Sequence, residues 1–255
     1  MMKKNKITFE QIDSLFVSLV EDSISEMQFT TAEKIITERI KVLRSNIDLY
    51  RSFKFIAIEN NLEVQANSLL YMQCTLQSIY SIFLTFTLIR QNLNLKAWIS
   101  LIDAYEYLDI AIKAKEIVHT HIGVPIDDSN GVFEIRRRIL NIENGLFPSH
   151  KVYNSSALIE TLGKCSICKN SFLDCEHIES NIYSGLYCQR IEKEILGVDH
   201  IAMVENPKDR RCIYTSQHNL KEIAVDIFSR EPLEQPLNNN EFTGLVYYKG
   251  QLDIN

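Results

Sequence analysis

Residues 164–190 read KCSICKNSFLDCEHIESNIYSGLYCQR, and they divide the chain into two kinds of sequence. Within them lie five donors for a soft metal ion: Cys165, Cys168, Cys175, His177 and Cys188. A structural Zn²⁺ needs four such thiolate or imidazole groups in a tetrahedron. In Cys165-Ser-Ile-Cys168 the two intervening residues let both sulfurs face one ion while backbone N–H groups steady their charge. The second half offers three donors for two places. The preferred set is Cys165, Cys168, His177 and Cys188, with Cys175 as the substitute. Closed by four protein ligands, such a site holds a fold together and leaves no position for substrate.

Upstream the texture is different. Residues 1–122 contain neither Gly nor Pro, although the chain has 8 glycines and 5 prolines. So long a run without breakers, carrying helical periodicity, predicts an almost wholly α-helical half. Thr8 and Gln11 have the capping-box spacing for a first helix, with a core stripe of Ile12, Leu15, Phe16, Leu19 and Val20. Thr30 and Glu33 repeat that signature before a longer helix, whose seam is Ile36, Ile40, Leu43, Ile47 and Tyr50. Asn60-Asn61 marks the next turn. Residues 64–89 carry no charge and are long enough to cross a bilayer. They also carry Gln65, Asn67, Gln73 and Gln77, each costly in hydrocarbon, so the sequence favours the buried central helix of a bundle over a membrane span. A fourth helix over 95–119 has a small-residue face, Ala97, Leu101, Ala104, Leu108 and Ala111, suited to close approach.

Asp127, Asp128 and Ser129 are placed to cap a shorter helix through Ile142, and Gly145 and Pro148 close it. That helix bears Arg136, Arg137 and Arg138, which point about 100° apart and so cannot form one flat phosphate-binding patch. Salt bridges to the acidic bundle are the preferred role. The expected fold class is α+β: an antiparallel helical bundle over 1–148, then a small zinc-stabilised β-rich module over 149–255. Strands are expected at 151–153, 186–191, 201–204, 212–215 and 244–248, a helix at 219–229, and an exposed linker at 231–240.

Composition narrows the function. With 27 basic and 33 acidic side chains the net charge is -6, which invites neither nucleic acid nor an anionic membrane. No phosphate-cradling loop of the G-x-x-x-x-G-K-[ST] kind and no G-x-S-x-G elbow occurs. The N-terminal residues have lysines but no apolar core of a signal peptide, and clustered cysteines suit a reducing compartment, so a cytoplasmic location is expected. A cytidine-deaminase centre reads H-x-E and then P-C-x-x-C. Here the C-x-x-C comes first and Glu176 precedes His177.

The spacing C-x2-C-x6-C-x-H, followed by Tyr183, Gly185, Cys188, the run Ile201-Ala202-Met203-Val204 and Asn206-Pro207, resembles a short zinc-binding module of uncharacterised bacterial and prophage-associated proteins. The resemblance covers residues 151–215. It implies a metal-stabilised β-rich module in a phage-defence or mobile-element setting, with no assigned reaction. A glycine expected soon after the histidine is replaced by Ser180 or Asn181. The knuckle followed by Glu176-His177-Ile178 or Asp199-His200-Ile201 also resembles an HNH-type nuclease, which implies a histidine base, but no second C-x-x-C follows. The expected function is therefore a non-catalytic interaction protein, an adaptor, sensor or accessory subunit, with a protein partner or a second copy of itself. A metal-dependent nuclease or a nucleic-acid adaptor is the alternative.

Overall fold

The computed structural model describes residues 8–125, 131–149, 151–218, 223–233 and 251–255. Helices α1 (Phe9–Glu26), α2 (Glu33–Glu59), α3 (Glu63–Arg90), α4 (Asn94–Ile122) and α5 (Val132–Leu146) come first. Short strands follow: β1 (Tyr153–Glu160), β2 (Lys164–Cys165), β3 (Ile182–Tyr183), β4 (Leu186–Tyr187), β5 (Arg190–Ile191), β6 (Ile195–Val204), β7 (Ser216–His218) and β8 (Ala224–Asp226). They pair antiparallel in four two-stranded sheets, β1 with β6, β2 with β5, β3 with β4 and β7 with β8.

The α2–α3 and α3–α4 turns are made by the same local chemistry. Asn61 and Asn92 sit at φ 55° and 58°, in the left-handed region that asparagine tolerates. The following Leu62 and Leu93 donate back to Ala57 and Leu88 at 2.9 Å in both cases, closing the helix ends. Chains reversed this tightly lay α2, α3 and α4 side by side and antiparallel. At the first helix the capping box forms as its sequence requires, with the Gln11 N–H donating to Thr8 Oγ1 at 3.3 Å and the Thr8 N–H to Gln11 Oε1 at 3.0 Å. The second capping signature does not form. The N-cap falls at Ala32 and not at Thr30, so α2 starts with no side-chain cap, while the neighbouring Thr31 Oγ1 donates to the Glu26 carbonyl at 2.7 Å and finishes α1.

The uncharged helix is the axis of the bundle. In α3 nearly every side chain from Ala66 to Phe86 is buried, between α2 on one side and α4 on the other. By length and composition α3 could cross a membrane, yet 72% of its most apolar window lies inside the protein. Ala97, Leu101, Ala104, Leu108 and Ala111 on α4 are fully buried against it. The small residues bring the backbones close enough for Ser78 Oγ on α3 to donate to the Ala104 carbonyl at 2.8 Å. Ser100 Oγ on α4 donates to the Ser81 carbonyl at 2.9 Å. On α1, Phe16, Leu19 and Val20 are buried, whereas Leu15 faces outward.

The region after residue 148 is not packed by itself. Tyr153, Ile213, Ile227, Leu252 and Ile254 belong to the same apolar cluster as the helices. Buried Arg211 reaches Asp103 at 2.5 Å and Glu106 at 2.7 Å on α4, and Asp209 at 3.0 Å. Trp98 Nε1 on α4 donates to the Arg210 carbonyl at 2.8 Å, with Lys151 and Arg210 over its ring. The last described residues, 251–255, lie against α2 and α3: Lys54 Nζ donates to the Ile254 carbonyl at 2.6 Å and Gln73 Nε2 to the same oxygen at 3.0 Å.

Several expected elements change here. The run 186–191 is two strands interrupted at Cys188-Gln189, and 213–214 are bridge positions outside any named strand, Ile213 pairing with Tyr153. The expected helix at 219–229 is strand β8 and a turn over its described part. The Asp226 carboxylate takes the N–H groups of Phe228 and Ser229 at 2.9 and 2.8 Å, a local turn that competes with helix. The 244–248 strand, most of the 231–240 linker and the caps at 127–129 lie outside the described residues.

Gly185 ties the two halves. It sits at φ 83°, in the Ser184-Gly185 turn of the β3–β4 hairpin, and its N–H donates to Asn67 Oδ1 on α3 at 2.7 Å. A Cβ there would stand 2.9 Å from both the Cβ and the carbonyl oxygen of Ala66. Gly185→Ala is expected to cost about 2–4 kcal/mol from backbone strain plus overpacking, which lowers Tm by roughly 5–10 °C for a chain of this size. Gly145→Ala on α5, where nothing lies within 4 Å, should be neutral or slightly stabilising in the same melt.

Burial holds the Lys54 amine at about 8, with Arg51 adding to the shift and Cys74 and Asp253 opposing it. The unfolded chain therefore binds more protons between pH about 8 and about 10.5, and Lys54 becomes less costly to the fold as pH rises through that window. Denaturant titrations at pH 7.5 and 10 should show wild type gaining on Lys54→Met; a pH-independent gap would contradict this placement.

Candidate metal centre

The knuckle is built by local hydrogen bonding. Cys165 ends β2, and its carbonyl accepts the Lys169 N–H at 3.0 Å while its own N–H donates to the Asn170 carbonyl at 2.9 Å. Lys169 takes φ 63° to close that turn, which brings Cys168 back beside Cys165. The Ile167 N–H donates to Cys165 Sγ at 3.3 Å. A short 3-10 turn, Phe172–Asp174, capped by Ser171 Oγ, then returns the chain to the knuckle. Cys175 and His177 follow it directly. The His177 N–H donates to Cys175 Sγ at 3.2 Å, and the His177 ring is held edge-on by Tyr183 at 4.6 Å. The Tyr183 hydroxyl accepts the Ile178 N–H at 2.9 Å, so the hairpin that reaches α3 also positions the imidazole.

Cys165, Cys168, Cys175 and His177 converge, with one donor atom from each within 4.8 Å of every other. Cys168 Sγ is 3.5 Å from Cys175 Sγ, and His177 Nδ1 is 3.3 Å from Cys175 Sγ and 3.7 Å from Cys165 Sγ. Sulfur ligands at about 2.3 Å from one tetrahedral ion stand about 3.8 Å apart, slightly closer to a nitrogen. The observed separations have that size, and these cysteines form no disulfide. The four residues are therefore compatible with a metal site. Cys188 is fully buried behind them, its sulfur 3.9 Å from that of Cys165, and lies outside the mutually close group of four.

The electrostatics match a place for a cation. Burial opposes ionisation of Cys165, but the N–H groups of Cys168 and Ile167 and the neighbouring thiols outweigh it and bring the group down to about 6. Burial, helped by the proximity of Cys165 and Cys168, pushes Cys175 up to about 11 against the His177 N–H. Burial and Cys165 likewise push Cys188 up to about 12. Thiolates this close resist ionising together unless positive charge lies among them.

The other histidines, cysteines and basic residues with an evident role fall elsewhere. His200 is on the exposed strand β6, with Nδ1 2.9 Å from its neighbour Asp199, and takes no part in the cysteine–histidine group. Arg136 pairs with Asp109, and Arg137 and Arg138 both bond Glu134 at 2.7 Å, so the arginine triplet is spent on its own helix and α4. His119 Nδ1 lies 2.9 Å from the Pro125 carbonyl beyond the end of α4. Cys74 is buried in α3 and raised to about 12. Residues 251–255 and their polar partners on α2 and α3 carry no local motif in the sequence.

No protein-family model, no curated protein and no solved structure matches this chain.

Cys168→Ser or Cys175→Ser is expected to weaken binding of a thiophilic divalent ion by at least about 100-fold, the upper end of what losing an outer-shell partner costs. Titration against a chromophoric chelator measures it. Cys188→Ser should change that affinity by less than about tenfold, and a full loss there would move Cys188 into the donor set.

Proposed function

We propose that this chain is a non-catalytic protein-interaction protein whose Cys/His knuckle holds a structural Zn²⁺ through Cys165, Cys168, Cys175 and His177. A Cys3His set is among the usual structural zinc sets, and four protein donors leave no vacancy for substrate. When bound, the ion supplies cross-linking and charge neutralisation, while the chain's own residues form the interaction surface. Free thiols of this kind suit a reducing, cytoplasmic setting.

The observation that carries the reading is the β1–β6 ribbon. Residues directly opposite in an antiparallel pair share a face. Met203, Ile201, Val198 and Ile195 stand opposite Asn154, Ser156, Leu158 and Glu160, an every-second-residue series on β1. Two bulges on β6 make this so: without them Val198 and Ile195 could not both share a face with Ile201 and Met203. All four are between 46% and 60% exposed. Bulges that keep a solvent-facing apolar stripe in register suit a docking strip for another polypeptide. An adaptor, sensor or accessory subunit is the role that follows. The phage-defence or mobile-element setting rests on the module resemblance alone.

Val198→Asp with Ile201→Asp tests the strip, since both side chains face solvent and the fold should keep its Tm within about 2 °C. With a photo-crosslinking residue at Met203, the reading expects one discrete adduct, either a second copy or a host protein. The adduct should be lost in the double variant and absent when the crosslinker sits at Lys41. A crosslinking pattern unchanged by the two aspartates would overturn it. A metal-dependent cleavage of DNA or RNA that disappears in His200→Ala, with the melt unchanged, would establish the nuclease instead.

A further inference from the structure

The segment 251–255, Gln-Leu-Asp-Ile-Asn, is held the way a binding site holds a peptide. Its backbone is read residue by residue by side chains from elements remote in sequence. Gln189 takes both polar groups of Leu252: the Leu252 N–H donates to Gln189 Oε1 at 2.8 Å and Gln189 Nε2 donates to the Leu252 carbonyl at 3.1 Å. Arg51 donates to the Asp253 carbonyl at 2.8 Å and pairs with its carboxylate at 2.8 Å, and Gln77 Nε2 donates to the same carbonyl. Lys54 and Gln73 share the Ile254 carbonyl. The Asn255 side chain takes both backbone polar groups of Tyr187, accepting its N–H at 3.0 Å and donating to its carbonyl at 2.7 Å. Between these contacts Leu252 and Ile254 point into the common core, 7% and 0% exposed.

The floor of the slot makes this different from a segment merely packed on a core. Lys54, Gln73 and Gln77 are buried beneath the segment, and Gln73 Oε1, Gln77 Oε1 and Arg51 Nε have no hydrogen-bond partner among the described residues. Polar capacity exceeds what residues 252–255 satisfy. A slot floored by an ammonium, a guanidinium and two amides accepts water when its occupant leaves, which a leucine-lined slot does not. It also continues sideways: Arg51, Gln77 and Asp253 form one wall of a cleft of about 750 Å³ between α2, α3 and α4.

We propose that this slot is a peptide-binding site for extended segments of the form Leu-acidic-Ile-Asn, held in cis by residues 252–255 and able to take the same sequence in trans. The side chains of Leu252 and Ile254 supply burial, Asp253 meets Arg51, and Asn255 clamps Tyr187 of the knuckle hairpin. Occupancy thereby couples the bundle to the metal-binding module, whose Ser166 Oγ also accepts from Asn255 Nδ2 at 3.3 Å. The inference does not depend on what the β1–β6 strip binds.

The test uses the full chain carrying Leu252→Asp and Ile254→Asp, which evicts the segment, and a fluorescently labelled Gln-Leu-Asp-Ile-Asn peptide. Anisotropy should show saturable 1:1 binding to this variant and at least about tenfold weaker binding to wild type, whose own segment competes. Adding Lys54→Met to the variant should weaken binding about tenfold. A folded variant that binds the peptide no better than its reversed sequence overturns the proposal. Should the variant fail to fold, hydrogen exchange on wild type decides. The Leu252 amide should exchange by local opening, faster than the amides of the α3 core, and exchange only at the rate of global unfolding overturns the proposal.

Discussion

Polar groups buried along α2 and α3 need partners that the helices cannot provide. Asn67, Gln73, Gln77 and Lys54 all lie within 5% of full burial, and each would cost about 1–3 kcal/mol if left unpaired. Every one bonds a group from beyond residue 180: the Gly185 N–H, the Ile254 carbonyl twice and the Asp253 carbonyl. The bundle is therefore completed by the part of the chain that follows it. This is the physical sense in which the two regions form one core, with Tyr153, Ile213, Ile227, Leu252 and Ile254 joining the helical cluster.

The same demand explains why the second region can be so poor in regular structure. Its strands pair only in twos, and a two-stranded ribbon is marginal in water without other support. Support comes from the bundle through Arg211 on Asp103 and Glu106, and through Trp98 on the Arg210 carbonyl. At the knuckle three thiols and an imidazole gather within one coordination sphere's reach. The β3–β4 hairpin joins these supports, with Gly185 on α3 at its tip and Tyr183 against His177 at its base.

Much of this was legible in the residues. A Gly- and Pro-free run and a three-and-four apolar spacing specify helices because both are local properties of a 3.6-residue turn. The Thr8 box, the seam through Ile36, Leu43, Ile47 and Tyr50, and the small face of α4 all appear where that logic puts them. The C-x-x-C knuckle is equally local, being a five-residue turn with its own hydrogen bonds. What failed was decided by competition. The Thr30–Glu33 signature gives no side-chain cap, because α2 starts two residues later, after Ala32. Asp226 captures two N–H groups that a helix would have used differently.

By itself, then, the sequence determined the helical half, the place where it ends and the residue types that gather at the knuckle, because each depends on neighbours a few positions away. Only the tertiary structure decided that Cys175 stands with Cys165, Cys168 and His177 while Cys188 stands behind, that bulges align Ile195, Val198, Ile201 and Met203, and that Leu252 and Ile254 close the bundle. Those outcomes turn on register and on contacts across as many as 202 residues of chain, from Arg51 to Asp253. No local period encodes which buried amide will meet which distant carbonyl.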